Sequence, residues 1–264
     1  MAAEIVITKA AGIATTLAAE ARGDIVVAVG GDGTINEIVN GLDPSTKELG
    51  IIPSGSGNDL VTALGIPKQS ERALDVVTRR RLRFIDLGRL SWSNDEDYKH
   101  RLFVNGIGFG FDAVVAQRVS SISYGSGLFV YGVAVIQSLF SYVPWKITGR
   151  IDADPFEANC LLFAIGNGSS AGGGFLLTPK ATLDDQLFDC CILEARGILE
   201  IVKLMPKAIK GVHELRDGAR HLRGKQIEVN CPTGIPIHAD GQVLGSGVTH
   251  ATINVIPNGL RVIA

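Results

Sequence analysis

Twice in its first third, the chain runs from a short apolar stretch through a glycine turn into a helix-spaced apolar stripe. Ile25 to Val29 is continuously apolar and largely β-branched, the texture of a parallel strand covered on both faces. Gly30, Gly31, Asp32, Gly33 and Thr34 follow, and then Ile35, Ile38, Val39 and Leu42 at helical spacing. Glycines leave backbone N–H groups uncovered, and a strand that feeds them into a helix N-terminus makes an anion site. Thr34 with Glu37 fits a capping box at the helix start. Such a turn also forms for geometric reasons alone. Asp32 favours the functional reading, because a carboxylate inside an anion loop repels bare phosphate and suits a Mg–nucleotide.

The second unit is Leu49, Ile51 and Ile52, then Pro53-Ser54-Gly55-Ser56-Gly57-Asn58-Asp59, with Ser56 and Asp59 at cap spacing. Leu60, Ala63 and Leu64 make the helix stripe, closed by Gly65 and Pro67. Upstream, Glu4 to Thr8 reads as a strand and Gly12 to Ala21 as an Ala-rich helix. This alternation predicts an α/β domain with an open parallel sheet, whose ligands bind beyond the carboxyl ends of the strands. Neither loop ends in Gly-Lys-Ser/Thr, which excludes a Walker loop. Gly106 to Gly110 is a weak glycine cluster without dinucleotide spacing, and Ser54 two residues before Ser56 excludes a hydrolase elbow.

After about Asp86 the texture changes to strand-like runs separated by turn residues. They are Phe84 to Leu87, Arg101 to Val104, Trp145 to Ile151, Cys160 to Ile165, Phe188 to Leu193, Gln226 to Val229, Pro236 to His238 and Ala251 to Val255. We read residues 1–87 as a nucleotide-binding α/β domain and 88–264 as a mostly antiparallel β domain, with the last strand a candidate to return to the first domain. A cleft between the two is the natural meeting place for two substrates. Asp240-Gly241 spells a hairpin turn, which can still display a catalytic carboxylate, and Asp184 with Asp185 reads equally as a solvated loop pair or a metal loop.

With 25 Lys and Arg against 27 Asp and Glu, the chain has no global nucleic-acid footprint. Cys160, Cys190, Cys191 and Cys231 have no metal-ligand spacing and read as buried thiols in a reducing compartment. The start lacks the pattern of a signal peptide. Leu128 to Trp145 is the longest apolar stretch and is marginal for a membrane span. It reads as a buried helix or as a wall of a lipid pocket. Arg79, Arg80, Arg81 and Arg83 close a helix, where they complement its dipole. Lys203, Lys207 and Lys210, followed by Arg216, Arg220, Arg223 and Lys225, read as a solvated face or as a dock for anionic headgroups.

The two loops resemble the signature loops of the bacterial diacylglycerol kinase-like lipid kinases, relatives of sphingosine kinases and more distantly of NAD kinases. The likeness continues through Asn105-Gly106-Ile107-Gly108-Phe109-Gly110-Phe111-Asp112-Ala113, then Gly166-Asn167-Gly168 with Gly172-Gly173-Gly174. It extends to Pro179-Lys180-Ala181-Thr182-Leu183-Asp184-Asp185-Gln186-Leu187 and His238-Ala239-Asp240-Gly241-Gln242. The resemblance implies an NAD kinase-like first domain and transfer of the γ-phosphate of ATP, with Mg, to a lipid hydroxyl such as that of diacylglycerol. It implies ATP contacts from Thr8, Gly30, Gly31, Asp32, Gly33, Thr34, Ile35, Asn36 and Ser56. It also implies a Mg ion on the Asp185 side chain and the carbonyls of Thr182 and Leu187, a water link through Asp112, and Asp240 as general base. The implied setting is cytoplasmic and peripheral at a membrane that carries the lipid substrate, with a homo-oligomer left open.

Three departures stand out. The family begins with a strand and an Asn-Pro-x-Ser-Gly loop that this chain is expected to lack, leaving an apolar sheet edge exposed. Gln186 stands for a usual Gly and is expected to strain its turn, and Gln242 stands for a usual Glu. Two rivals follow: a small-molecule kinase of the NAD kinase type, in which the loop aspartate is the base, and a non-catalytic lipid- or nucleotide-binding module.

Overall fold

The computed structural model describes residues 3–94, 98–119, 127–140, 143–213 and 218–264. The element order opens with α1 (Ile13–Glu20), β1 (Ile25–Gly30), α2 (Asp32–Gly41), β2 (Glu48–Pro53), α3 (Asp59–Leu64) and α4 (Ser70–Arg79). There follow β3 (Leu82–Ser93), β4 (Tyr98–Phe103), β5 (Gly106–Gly110), α5 (Phe111–Val119), α6 (Gly127–Leu139), β6 (Trp145–Ile151) and β7 (Asp154–Gly166). The chain ends with β8 (Phe188–Glu194), α7 (Ile198–Lys210), β9 (Ala219–Gly224), β10 (Gln226–Ala239) and β11 (Gln242–Ile263).

β1 and β2 pair in parallel from Ile25↔Glu48 to Gly30↔Pro53, which requires the α2 crossover between them. Both strands therefore end together, and their glycine turns lie side by side. Beyond β2 the sheet continues through β11, where Val262 pairs with Leu49, so the end of the chain closes against its first half. The remaining pairings are antiparallel. β7 and β10 each pair with both β5 and β6, which folds the sheet back over a core containing Phe103, Phe109, Phe163, Phe188 and Ile237. A second core packs α1, α2 and α3 against β1 and β2 through Ala18, Ile35, Val39, Leu49 and Leu60. A third lies under α5, α6 and α7. Among the described residues no helix is long and apolar enough to cross a membrane, and the stretch from Leu128 resolves into α6 and the start of β6.

Two kinds of expectation, the upstream strand and the local capping boxes, are corrected. Residues 3–9 form no strand: no neighbouring ladder receives them, and Ile5 and Ile7 are exposed. As expected of an open edge, Val29 of β1 is exposed too. Neither capping box forms. Helix α2 begins at Asp32 without a side-chain cap, because Glu37 instead accepts the Ala14 N–H at 3.3 Å and ties α1 to α2. Helix α3 likewise begins without a side-chain cap of its own, after Asn58 in the left-handed region. The glycine cluster Gly106 to Gly110 is strand β5, and part of the second basic cluster is strand β9.

The loop between Thr178 and Leu187 is stapled to β3 by Asp86, which is fully buried. Asp86 donates its N–H to the Leu183 carbonyl at 2.6 Å and accepts the Gln186 N–H at 2.6 Å and the Asn258 N–H at 2.8 Å. Holding the loop this way places Gln186 at φ 63°, a conformation costing a non-glycine residue roughly 1 kcal/mol. Gln186→Gly is expected to raise unfolding stability by about 1 kcal/mol, read from denaturant midpoints at constant m-value.

Candidate active site

The turns after β1 and β2 touch each other: a Cβ on Gly31 would lie 2.9 Å from the Gly55 Cα, so only glycine permits the approach. Beside them opens a cavity of about 350 Å³, within the range of small-molecule pockets. Gly31, Asp32, Gly33, Ser56 and Gly57 contribute a polar lining, with Asp59, Asp112 and Asp240. Ile107, Ala116, Val119, Tyr131, Ile165 and Leu177 contribute an apolar one.

Each carboxylate is satisfied differently. Asp32 accepts the Asp59 and Leu60 N–H groups at 3.2 and 3.3 Å, thereby capping α3 from the other loop. Burial, then the neighbouring Asp59 charge, pushes Asp32 up to a pKa of about 6. Asp59 is also raised, chiefly by burial, against the lowering effect of the Gly173 N–H at 2.9 Å and the Ser170 hydroxyl at 3.0 Å.

Asp112 is buried at the start of α5. Burial works to raise its carboxyl, but the His238 charge and hydrogen bonds from His238 and Tyr131 hold it below the ordinary value. His238 Nε2 lies 2.9 Å from Asp112 Oδ2, and the Tyr131 hydroxyl donates to Oδ1. The Gly241 N–H points at His238 Nδ1 at 3.3 Å, which orients the ring with Nε2 facing Asp112. Glycine is required at position 108, where a Cβ would meet both Asp112 Oδ2 and His238 Nε2 at 2.2 Å.

Asp240 occupies the β10–β11 turn, with Asp240 and Gly241 at φ 46° and 79° between the paired Ala239 and Gln242. Positive φ at both central residues is the type I′ hairpin that Asp-Gly favours. The carboxylate accepts Asn36 Nδ2 at 2.7 Å and the N–H groups of Val104, Asn105 and Gly106 at 2.9, 2.9 and 3.0 Å. Asn36 is oriented by Arg101, which donates to its Oδ1 at 2.9 and 2.6 Å and also to Gln242 Oε1. Gln242 Nε2 in turn donates to the Gly33 carbonyl at 3.2 Å.

Of the residues singled out in the sequence, Gly31, Asp32, Gly33, Ser56, Asp112 and Asp240 line the cavity. Thr8 is exposed in residues 3–9. Gly30, Thr34 and Asn36 are not among the lining residues, and Ile35 is buried in the core that packs α1 and α2. Thr182, Asp185 and Leu187 are not brought to the cavity. Their oxygens suit Mg, but Asp185 accepts the Leu187 N–H at 3.1 Å and pairs with the Arg223 guanidinium, so this carboxylate is already neutralised. Arg101, Tyr131 and His238 were not singled out. Only His238, inside the Asp-Gly motif, carried a sequence signal.

The comparisons agree with this architecture. Residues 1–90 match the diacylglycerol kinase catalytic domain, and residues 105–264 match the YegS C-terminal NAD kinase beta sandwich-like domain. The chain is 32% identical over 249 residues to the diacylglycerol kinase of Mycobacterium tuberculosis, covering 93% of this chain and 79% of that one. It is 31% identical over 245 residues to that of Bacillus subtilis, covering 90% and 78%. A putative diacylglycerol kinase from Bacillus anthracis superposes with a TM-score of 0.76 at 23% identity, covering 97% of this chain and 84% of that one. Yeast NADH kinase superposes at 0.53 and 13% identity, covering 91% and 61%, which relates the fold to NAD kinases. The chain belongs to the diacylglycerol kinase family and is a lipid kinase.

The raised Asp32 has a consequence for stability. Between its ordinary value of 3.8 and about 6, the native state holds a proton that the unfolded chain releases, so this group costs stability as pH rises through that window. Asp32→Asn is expected to stabilise the fold by up to about 3 kcal/mol at pH 7. The gain should vanish below pH 4, as measured by denaturant unfolding at both pH values.

Proposed function

We propose that this chain phosphorylates the free hydroxyl of diacylglycerol or a closely related lipid, with ATP as phosphoryl donor and Mg as its counter-ion. The observation that carries the reading is the cavity itself. Its lining joins two glycine loops and four aspartates to an apolar wall, which matches a polar reacting group attached to a lipid body.

In this mechanism the uncovered amides of residues 31–33 and 55–57 receive the phosphates. Asp32 and Asp59 are the oxygen donors suited to Mg, since the burial and the neighbouring Asp59 charge that raise Asp32 are offset by a cation. Bound there, Mg would neutralise charge on the phosphates. Asp240 takes the proton of the lipid hydroxyl. An ionised carboxylate offers about four lone-pair positions, and Asp240 uses four for N–H donors. The donor able to withdraw is Asn36 Nδ2, which already reaches an alternative acceptor, the Leu102 carbonyl, at 3.1 Å. Its turning away would free Oδ2 for the substrate.

A second reading assigns the proton to Asp32. It rests on Asp32's near-neutral pKa of about 6, close to what a base at physiological pH needs.

Peripheral membrane docking is part of the proposal. Ile198, Leu199 and Val202 of α7 are exposed next to Lys203 and Lys210, and each cation near an anionic surface contributes about 1 kcal/mol. Of the other basic residues, Arg216 lies outside the described residues. Arg223 is paired with Asp185 and Asp189, and Arg220 reaches the Glu157 carbonyl and Glu194.

The test is ADP release with MgATP and mixed diacylglycerol micelles. Lipid-dependent release is expected, with Asp240→Asn lowering kcat by about 10²–10⁴-fold while ATP binding persists. Turnover by Asp240→Asn together with its loss in Asp32→Asn would move the base to Asp32. NADP formation from NAD, with no response to lipid, would identify the small-molecule rival.

A further inference from the structure

Away from the cavity mouth, β8 and β9 place Cys191 and His221 directly opposite each other, so their side chains share one face of the sheet. His213, following α7, packs on the same side, its ring centroid 4.9 Å from that of His221. Cys191 and His213 are buried and His221 is exposed. The Cys191 Sγ and one nitrogen of each imidazole all lie within 4.8 Å of one another, and the Sγ is 3.5 Å from His213 Nε2. Ligand bonds of about 2.3 Å to sulfur and 2.0–2.1 Å to nitrogen at tetrahedral angles require an S···N edge of about 3.5 Å.

We propose that Cys191, His213 and His221 form a zinc site that pins β8, β9 and the segment after α7 together. Thiolate and imidazole are the donors that zinc selects, and Mg, which takes oxygen, would not bind there. The site is thus separate from the nucleotide's counter-ion. A thiol ligand must give up its proton to the metal, so zinc binding here tightens as pH rises. The site also bears on the cavity wall. Cys191 pairs with Ala164 across the strands, and zinc bound at His213 Nε2 would replace the hydrogen bond that this nitrogen makes to the Leu177 carbonyl at 3.2 Å. Ala164 and Leu177 both line the cavity.

The experiment uses the full chain, stripped with chelator and titrated with Zn²⁺ and with Co²⁺ as a spectroscopic probe. Expected are one equivalent of bound zinc, a thiolate-to-cobalt charge-transfer band with tetrahedral d–d bands, and a thermal midpoint that rises with zinc. Cys191→Ser should abolish the charge-transfer band. His221→Ala, at an exposed position and so compatible with folding, should weaken zinc by more than the 10–100-fold cost of losing an outer-shell partner. If the stripped wild type gives no charge-transfer band and no zinc-dependent midpoint, the cluster is a hydrogen-bonded one and the proposal fails. The same holds if His221→Ala binds zinc like wild type. None of these readouts depends on kinase activity.

Discussion

The Asp240 carboxylate ties together parts of the chain that lie far apart in sequence. Its donors come from α2, through Asn36, and from three successive amides at the junction of β4 and β5. It sits itself on the turn of the longest hairpin. Charge-assisted hydrogen bonds of this kind are stronger than neutral ones. The first glycine loop is therefore registered against the β sandwich by one side chain, reinforced by Arg101 on Asn36 and by Gln242 on Gly33. A residue that both holds the site together and is proposed to take a proton must do so without releasing its backbone donors, so the donor proposed to give way is Asn36.

The other carboxylates then divide into satisfied and unsatisfied. Asp112 has His238 and Tyr131, and Asp59 has Ser170 and Gly173. Asp32 has two long backbone contacts and an acidic neighbour. Among these carboxylates the unmet electrostatic demand is concentrated at Asp32, between the two glycine loops, where a cation would be best received. Tyr131 extends the arrangement to α6, so one wall of the apolar lining is anchored to the acidic cluster.

The parts of this architecture legible in the sequence are those encoded locally. The apolar run before each glycine turn located β1 and β2, Gly65 closed α3, and Trp145 to Ile151 matched β6 residue for residue. Asp240-Gly241 specified its own hairpin because two consecutive positive φ values admit few residue pairs. The local reading failed where a distant donor competed. Glu37 goes to α1 instead of its own cap, Asp32 takes the α3 N–H groups in place of a local cap, and residues 3–9 have no neighbouring ladder that makes a strand. β5, with Gly106, Gly108 and Gly110, hid because its glycines serve close approach and not turns. Arg101 and the Cys191–His221 pair were invisible because only strand register brings them to their partners.

Gln242, where the family resemblance leads one to expect a Glu, is accommodated by the same register. Its amide oxygen faces the Arg101 guanidinium and its amide nitrogen faces the Gly33 carbonyl. A carboxylate could accept from Arg101 but would direct lone pairs at the Gly33 oxygen, whereas an amide supplies one acceptor and one donor. Asn36 meets the same requirement, accepting from Arg101 and donating to Asp240. The two amides flank Arg101 as a matched set, so the loss of a negative charge at position 242 is compensated within the network that positions Asp240. Gln242 is thus built into the network that positions Asp240, as an intact site requires.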